Sequence, residues 1–132
     1  MAQDNVEIAK RAIDAFNRID VDVFTTLTTV DFEWSPSMVA IESEIFRGSE
    51  GIGAYFASLS DAWKEFLILQ GTFRDVSDVV IMLGGLRGRG RNSDVTVDAS
   101  LGMVFDLRGG KIARIRGFLD HAEALQAAGL AE

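Results

Sequence analysis

The sequence predicts an α+β fold in which a curved, mostly antiparallel sheet wraps around three helices, with a short helix closing the chain. Three observations carry that reading. Apolar residues recur at helical spacing in three stretches up to Trp63, and a fourth short helical pattern follows Asp120. Between Phe66 and Leu119, runs rich in Val, Ile, Leu and Phe are separated by turn residues. No helical pattern interrupts those runs, so neighbouring strands meet as a meander and not through the crossovers of an alternating α/β fold.

Each element has its own signal. Asp4-Asn5-Val6-Glu7 has the form of a capping box, after which Val6, Ala9, Ala12, Ile13 and Phe16 mark a helix from about Asn5 to Arg18. Asp20 can cap a second, short helix that offers Val23, Phe24 and Leu27 on one side and stops before Asp31. Asp31 to Ser35 alternates with period two, as a half-buried strand does, and Pro36 ends it by withholding a backbone donor. A short strand around Ile45-Phe46-Arg47 leads through Gly48-Ser49 into a third helix. Ser49 is its expected cap, and Ile52, Tyr55, Phe56, Leu59 and Trp63 form its apolar stripe.

The sheet region then reads as Phe66 to Arg74, Val79 to Arg87, Val95 to Leu107 and Lys111 to Leu119. Arg91-Asn92-Ser93-Asp94 and Arg108-Gly109-Gly110 supply hairpin turns. Asp120-His121-Ala122-Glu123 is a second capping box, opening a helix through Ala128 that Gly129 can close. A curved sheet must cover its concave face, and three amphipathic helices can do so while leaving a pocket between them.

Composition bounds the function. The 132 residues, 48% hydrophobic and without a low-complexity tract, match one domain spanning 1–132 with its own core. With no cysteine and one histidine, the chain has neither a disulfide framework nor an ordinary zinc set, and no metal or cofactor is expected. A net charge of −7 argues against nucleic-acid binding, which draws its affinity from neutralising phosphates. The start of the chain has no signal-peptide pattern and no apolar run reaches spanning length, so the expectation is a cytoplasmic protein without a membrane role. The Gly88 and Gly90 pair lacks the strand-to-helix context of a nucleotide fingerprint.

Several side chains admit two roles. Trp34 and Tyr55 suit stacking on a flat ring, with the Tyr55 hydroxyl orienting a carbonyl oxygen, and they equally suit the core. Arg87, Arg89 and Arg91 leave one face of an extended hairpin, where they can clamp an anion, pair with acids of a partner subunit, or form a solvated tip. His121 follows a cap, is expected to be exposed, and has no recognisable acid or nucleophile partner.

The order of Ala15-Phe16-Asn17, Asp31-Phe32-Glu33-Trp34, Phe46-Arg47-Gly48, Gly110-Lys111-Ile112 and the run from Asp120 to Leu130 resembles the SnoaL-like polyketide cyclase family. That family belongs to the nuclear-transport-factor-2-like superfamily, with ketosteroid isomerases and limonene epoxide hydrolases. The resemblance covers nearly the whole chain and implies a cone-shaped α+β barrel, commonly dimeric, around an apolar cavity. The isomerase acid, donor and base positions align with Gly102, Ala12 and Trp34, and the epoxide hydrolase set aligns with Met82, Gly84 and Gly117. Neither machinery is present as a set. Related cyclases use an acid near the end of the sheet, which points to Asp120, although that residue's spacing to Glu123 also suits an N-cap.

Strand parity carried over from the superfamily turns Phe32 and Trp34 inward, together with Asp98, Ser100, Gly102 and Val104; plain alternation turns Val97, Ala99 and Leu101 inward instead. The resemblance thus implies Asp98, Asp120 and Tyr55 as candidate catalytic groups. It implies a cavity lined by Phe32, Trp34, Tyr55, Phe56, Met82, Ser100 and Val104. Two functions follow: a cofactor-independent cyclase or isomerase acting on a hydrophobic cyclic ketone, or a non-catalytic protein that binds a hydrophobic metabolite. A homodimer across the convex face is expected from the apolar character of both faces of the long strands.

Overall fold

The computed structural model describes residues 2–36, 45–92 and 95–130. Two helices, α1 (Ala2–Asn17) and α2 (Val21–Thr26), precede strand β1 (Thr28–Ser35) and the two-residue β2 (Phe46–Arg47). Helix α3 (Gly48–Ala62) runs directly into β3 (Trp63–Val76), followed by β4 (Val79–Gly90), β5 (Thr96–Arg108), β6 (Lys111–Phe118) and helix α4 (His121–Ala127). The strands form one mixed sheet in the order β2-β1-β6-β5-β4-β3, parallel only between β1 and β6. The sheet is curved and does not close, so β2 and β3 are its edges. No described helix is long and apolar enough to cross a membrane.

Curvature has a local cause. The β3–β4 register shifts between Leu69 and Thr72, and a bulge of this kind bends a strand and increases its twist. At that point the two backbones nearly touch: a Cβ on Gly71 would lie 2.0 Å from the Leu83 carbonyl oxygen, and one on Gly84 would lie 2.2 Å from that of Leu69. Only glycine permits both approaches.

Helices α1, α2 and α3 cover the inner face and share one core with it. That core joins Ala12, Ile13 and Phe16 of α1 with Phe24, Ile52 and Phe56, and with Val80, Met82, Leu86, Met103, Phe105 and Ile115 from the sheet. Helix α4 lies on the outer face. There a Cβ on Gly102 would sit 2.5 Å from the Ala124 Cβ, so the missing side chain is what lets α4 seat closely. His121, expected to be exposed and idle, is half-buried and ties α4 to β4 through Nε2 and the Gly84 carbonyl at 2.9 Å.

Helix ends depart from the sequence expectations in informative ways. Helix α1 begins at Ala2, ahead of the expected capping box, and the Asp4 side chain lies outside the described ones. Its far end is a Schellman-type turn, with Asp20 N–H donating to Ala15 O at 2.8 Å and Ile19 at φ 57 where glycine is usual. Asp20 caps α2 as expected, accepting from Val23 N–H at 3.2 Å, while Val23 itself is 39% exposed and leaves Phe24 as the buried contact.

Ser49 does not cap α3; the N-cap is Arg47, whose side chain makes no capping bond. Trp63 is not on the α3 stripe either. Arg91 holds the end of α3, its guanidinium donating to the carbonyls of Ser60 and Trp63 at 2.9 and 3.2 Å and its N–H to that of Ala62 at 3.1 Å. The chain therefore turns extended at Trp63, whose ring rests over Gly88 of β4. Gly109 and Gly110 form the β5–β6 turn at φ 61 and 81, and Gly129 closes α4 at φ 79. Ser93 and Asp94 of the other expected turn lie outside the described residues.

Candidate ligand pocket

Aromatic residues from four elements converge on the inner face. Period-two alternation along β1 turns Phe32 and Trp34 toward the helices, and α3 presents Tyr55 and Phe56 on its buried side. Asn17 locks the end of α1 to edge strand β3. Its amide donates to Ile68 O at 2.9 Å and accepts from Ile68 N–H at 2.8 Å, which fixes Phe16 beside the sheet. The Trp34 ring stacks on Phe24 at 4.8 Å and meets Tyr55 edge-on at 4.6 Å and Phe16 edge-on at 5.9 Å. Such pairs add about 0.5–1.5 kcal/mol each beyond burial of their area.

A cavity of about 30 Å³ remains beside Trp34 and Tyr55. Phe16, Phe66, Ile68, Leu86, Leu101 and Met103 complete its walls with Pro36 and Gly117. This space takes one or two waters and is too small for a ring. Next to it, between the ends of α1 and α3 and the start of β3, lies a cleft of about 150 Å³ whose lining includes Phe56, Leu59, Ser60, Trp63 and Lys64. Phe16 and Phe66 line both spaces.

The lining of the inner cavity carries one hydroxyl. Tyr55 is 4% exposed, and burial pushes its phenol well above the ordinary value of 10, so it remains protonated and able to donate near neutral pH. No hydrogen bond joins the Tyr55 hydroxyl or the Trp34 indole N–H to another described residue, and neither atom is among the fully buried, unpartnered ones, which are the Asp75 carboxylate oxygens and Arg116 Nε. No carboxylate or imidazole of the described residues reaches the cavity wall, and no cluster of acidic or histidine side chains among them could hold a metal ion.

The expected site residues divide accordingly. Trp34 and Tyr55 line the cavity. Phe56 lines the adjoining cleft, and Phe32 and Met82 are packed at 0% exposure in the core without lining either space. Asp98, Ser100 and Val104 require a correction. On β5 the residues that join the inner core are Leu101, Met103, Phe105 and Leu107, with Val97 and Ala99 packed against it. The even-numbered residues therefore face outward, as plain alternation indicates and against the carried-over parity.

Asp98 is exposed and accepts from Arg87 Nε at 2.9 Å, a bond that raises the Arg87 pKa. Ser100 donates to the Leu119 carbonyl, and Val104 is buried on the outer face. Asp120 caps α4, accepting from Ala122 N–H at 2.9 Å. Of the arginine stripe, Arg87 pairs with Asp98 and Arg91 caps α3, so two of the three have structural partners.

The cavity residues missed were Phe16, Pro36, Phe66, Ile68, Leu86, Leu101, Met103 and Gly117. The signal for Leu101 and Met103 was the unbroken apolar series at odd positions from Val97 to Leu107.

Comparison with known proteins accords with this architecture. The profile of the SnoaL-like domain matches residues 9–115. A nuclear-transport-factor-2-like protein of unknown function from Burkholderia pseudomallei superposes with a TM-score of 0.79 at 17% identity, over 93% of this chain and 95% of that one. A proposed polyketide cyclase from Xanthomonas campestris gives 0.80 at 16% identity, over 92% and 94%. TerC, co-crystallised with polyporic acid, gives 0.79 at 18% identity, over 96% and 97%. At these identities the likeness is one of fold. No curated protein matches the sequence.

Proposed function

The chain belongs to the SnoaL-like domain family, and from that premise we propose that it binds a flat, apolar small molecule through an accepting oxygen held by Tyr55. The observation that carries the proposal is Tyr55, a 4% exposed residue whose ring sits edge-on to Trp34 and whose hydroxyl forms no hydrogen bond to another described residue in an otherwise apolar lining. Pockets of this composition take apolar ligands and orient them with a few polar groups. A phenol held protonated by burial is a donor and not a base, which favours binding over the proton abstraction a cyclase or isomerase needs. Asp98 and Asp120 serve structure on this reading, one in an exposed ion pair and the other as a helix cap. TerC, a structural neighbour co-crystallised with polyporic acid, supports a small-molecule reading of this fold.

Calorimetric titration with 2-acetylnaphthalene tests the proposal. The parent protein binds it, and Tyr55→Phe weakens binding about three- to tenfold by removing one net hydrogen bond. Equal affinity in the two proteins would contradict the assignment of Tyr55.

We also propose a homodimer over the outer face, where Leu69 remains 37% exposed beside the β4 strand. Part of the apolar surface expected to drive association is already covered within one chain, since Ile81 and Val104 are buried on the side where α4 packs. Sedimentation equilibrium at micromolar concentration reads the dimer directly, and a stable monomer there contradicts it.

A further inference from the structure

The inner cavity of about 30 Å³ cannot take a ring as it stands, so a ring beside Tyr55 needs space from a neighbouring compartment. Most of the walls have the packed sheet or core behind them. Among the described residues, the wall shared with a larger space is the edge-to-face pair of Phe16 and Phe66, with centroids 6.0 Å apart, because these two rings also border the cleft of about 150 Å³. Phe16 is 4% exposed and its neighbour Asn17 is bonded at both ends of its amide to Ile68. Phe66 is only half-buried and sits on edge strand β3, so it is the ring free to yield.

A second feature marks the same place. Ile19, at the cleft, is 61% exposed and held at φ 57, a conformation that a β-branched residue rarely adopts. Backbone strain and an exposed apolar side chain thus coincide at the cleft's rim.

We infer that the cleft between α1, α3 and β3 is the second compartment of the ligand site, joined to the Tyr55 cavity when Phe66 moves, and that the ligand is an elongated apolar carbonyl compound spanning both. This rests on the binding function proposed for Tyr55 and adds the ligand's shape. The carbonyl oxygen accepts from Tyr55, the ring lies between Trp34 and Phe66, and an apolar extension on the far side of the ring occupies the cleft against Leu59 and Trp63.

The probes are acetophenone and 4-butylacetophenone, titrated calorimetrically into the full chain. A fully buried methylene is worth about fourfold in affinity, so the butyl compound binds parent protein at least about tenfold more tightly. Ser60→Trp places a large side chain in the cleft from an exposed position on α3, and it removes that advantage while leaving acetophenone within about twofold. Trp63→Ala, which takes away a wall of the cleft, lowers the same advantage; circular dichroism establishes that both variants fold. Tyr55→Phe weakens both ketones by one common factor.

The outcomes separate the two claims. If the butyl advantage persists in both cleft variants, the second compartment is wrong while the Tyr55 pocket survives. If both ketones weaken equally in the cleft variants, the ring itself sits in the cleft and the inference is overturned. If neither ketone binds the parent protein, the pocket and its extension fall together.

Discussion

The two faces of the sheet are built from the same strands and carry opposite chemistry. Along β5, odd-numbered residues from Val97 to Leu107 are apolar and meet the helices, whereas Asp98, Ser100 and Asp106 at even positions face outward. On the inner face rings pack against rings, and the Tyr55 hydroxyl has no partner among the described residues. On the outer face the carboxylates are answered: Asp98 by Arg87 at 2.9 Å, and Asp106 by Arg114 at 2.8 Å and Arg116 at 3.5 Å. Asp98 and Asp106 are therefore separated from the Tyr55 cavity by the thickness of the sheet, while Lys64 and Glu65 border the adjoining cleft. A donor without a partner on the apolar side, and paired charges on the other, is the division expected of a protein that holds a molecule on one face.

The comparison breaks first in the inner core. Phe24 is 2% exposed and stacks on Trp34, so Phe24→Ala loses the ring and leaves a void, with an expected cost of about 3–5 kcal/mol in denaturant unfolding. The outer face responds less. Gly102→Val forces a side chain into the Ala124 Cβ and displaces α4, at an expected cost of about 1–3 kcal/mol. Because α4 lies outside the inner core, Trp34 fluorescence of the folded Gly102 variant, read in a Trp63→Phe background that leaves Trp34 as the single tryptophan, remains that of the Trp63→Phe protein itself. A shift in that emission would mean that the two faces are coupled more tightly than their separate packing indicates.

Alkaline pH sharpens the contrast through one residue. Tyr55 is the only tyrosine in the chain, so absorbance at 295 nm reports its ionisation alone. Its folded pKa is raised by burial, and the unfolded chain therefore releases the proton at a lower pH than the folded chain does. The sign follows: the contribution is intact below pH 10 and is lost as pH rises above it, by at most about 1.4 kcal/mol per unit. Tyrosinate appears only as the protein unfolds, and Tyr55→Phe removes that part of the slope. The smallest effect is expected for Asp98→Asn, which alters an exposed pair and leaves ligand affinity unchanged. A loss of affinity there would move the functional site to the outer face.

How much of this was legible in sequence depends on how local the cause was. Apolar runs between turn residues located every long strand, and Asp20 and Asp120 cap the helices they precede, because both signals act within a few residues. The end of α3 was not legible: helical spacing continues through Trp63, and what stops the helix is Arg91, which is remote in sequence. Parity on β5 is legible in its own alternation, which places Leu101, Met103, Phe105 and Leu107 inward where the superfamily parity places Asp98 and Ser100. The cavity and cleft were not legible, since they depend on how Phe16 and Phe66 pack across elements separated by most of the helical layer. The outer seat of α4 depends on an absent side chain at Gly102, which a pattern of apolar residues does not reveal.

The most direct test of the account places one reporter on each face. Trp34 lies on the inner face beside Tyr55, and His121, the only histidine, lies on the outer face bonded to Gly84. During titration with 2-acetylnaphthalene, the nuclear magnetic resonance signal of the Trp34 indole N–H shifts and saturates with the calorimetric affinity, while the His121 ring signals stay in place. Movement of His121 with a stationary Trp34 would contradict the claim that the inner face holds the ligand.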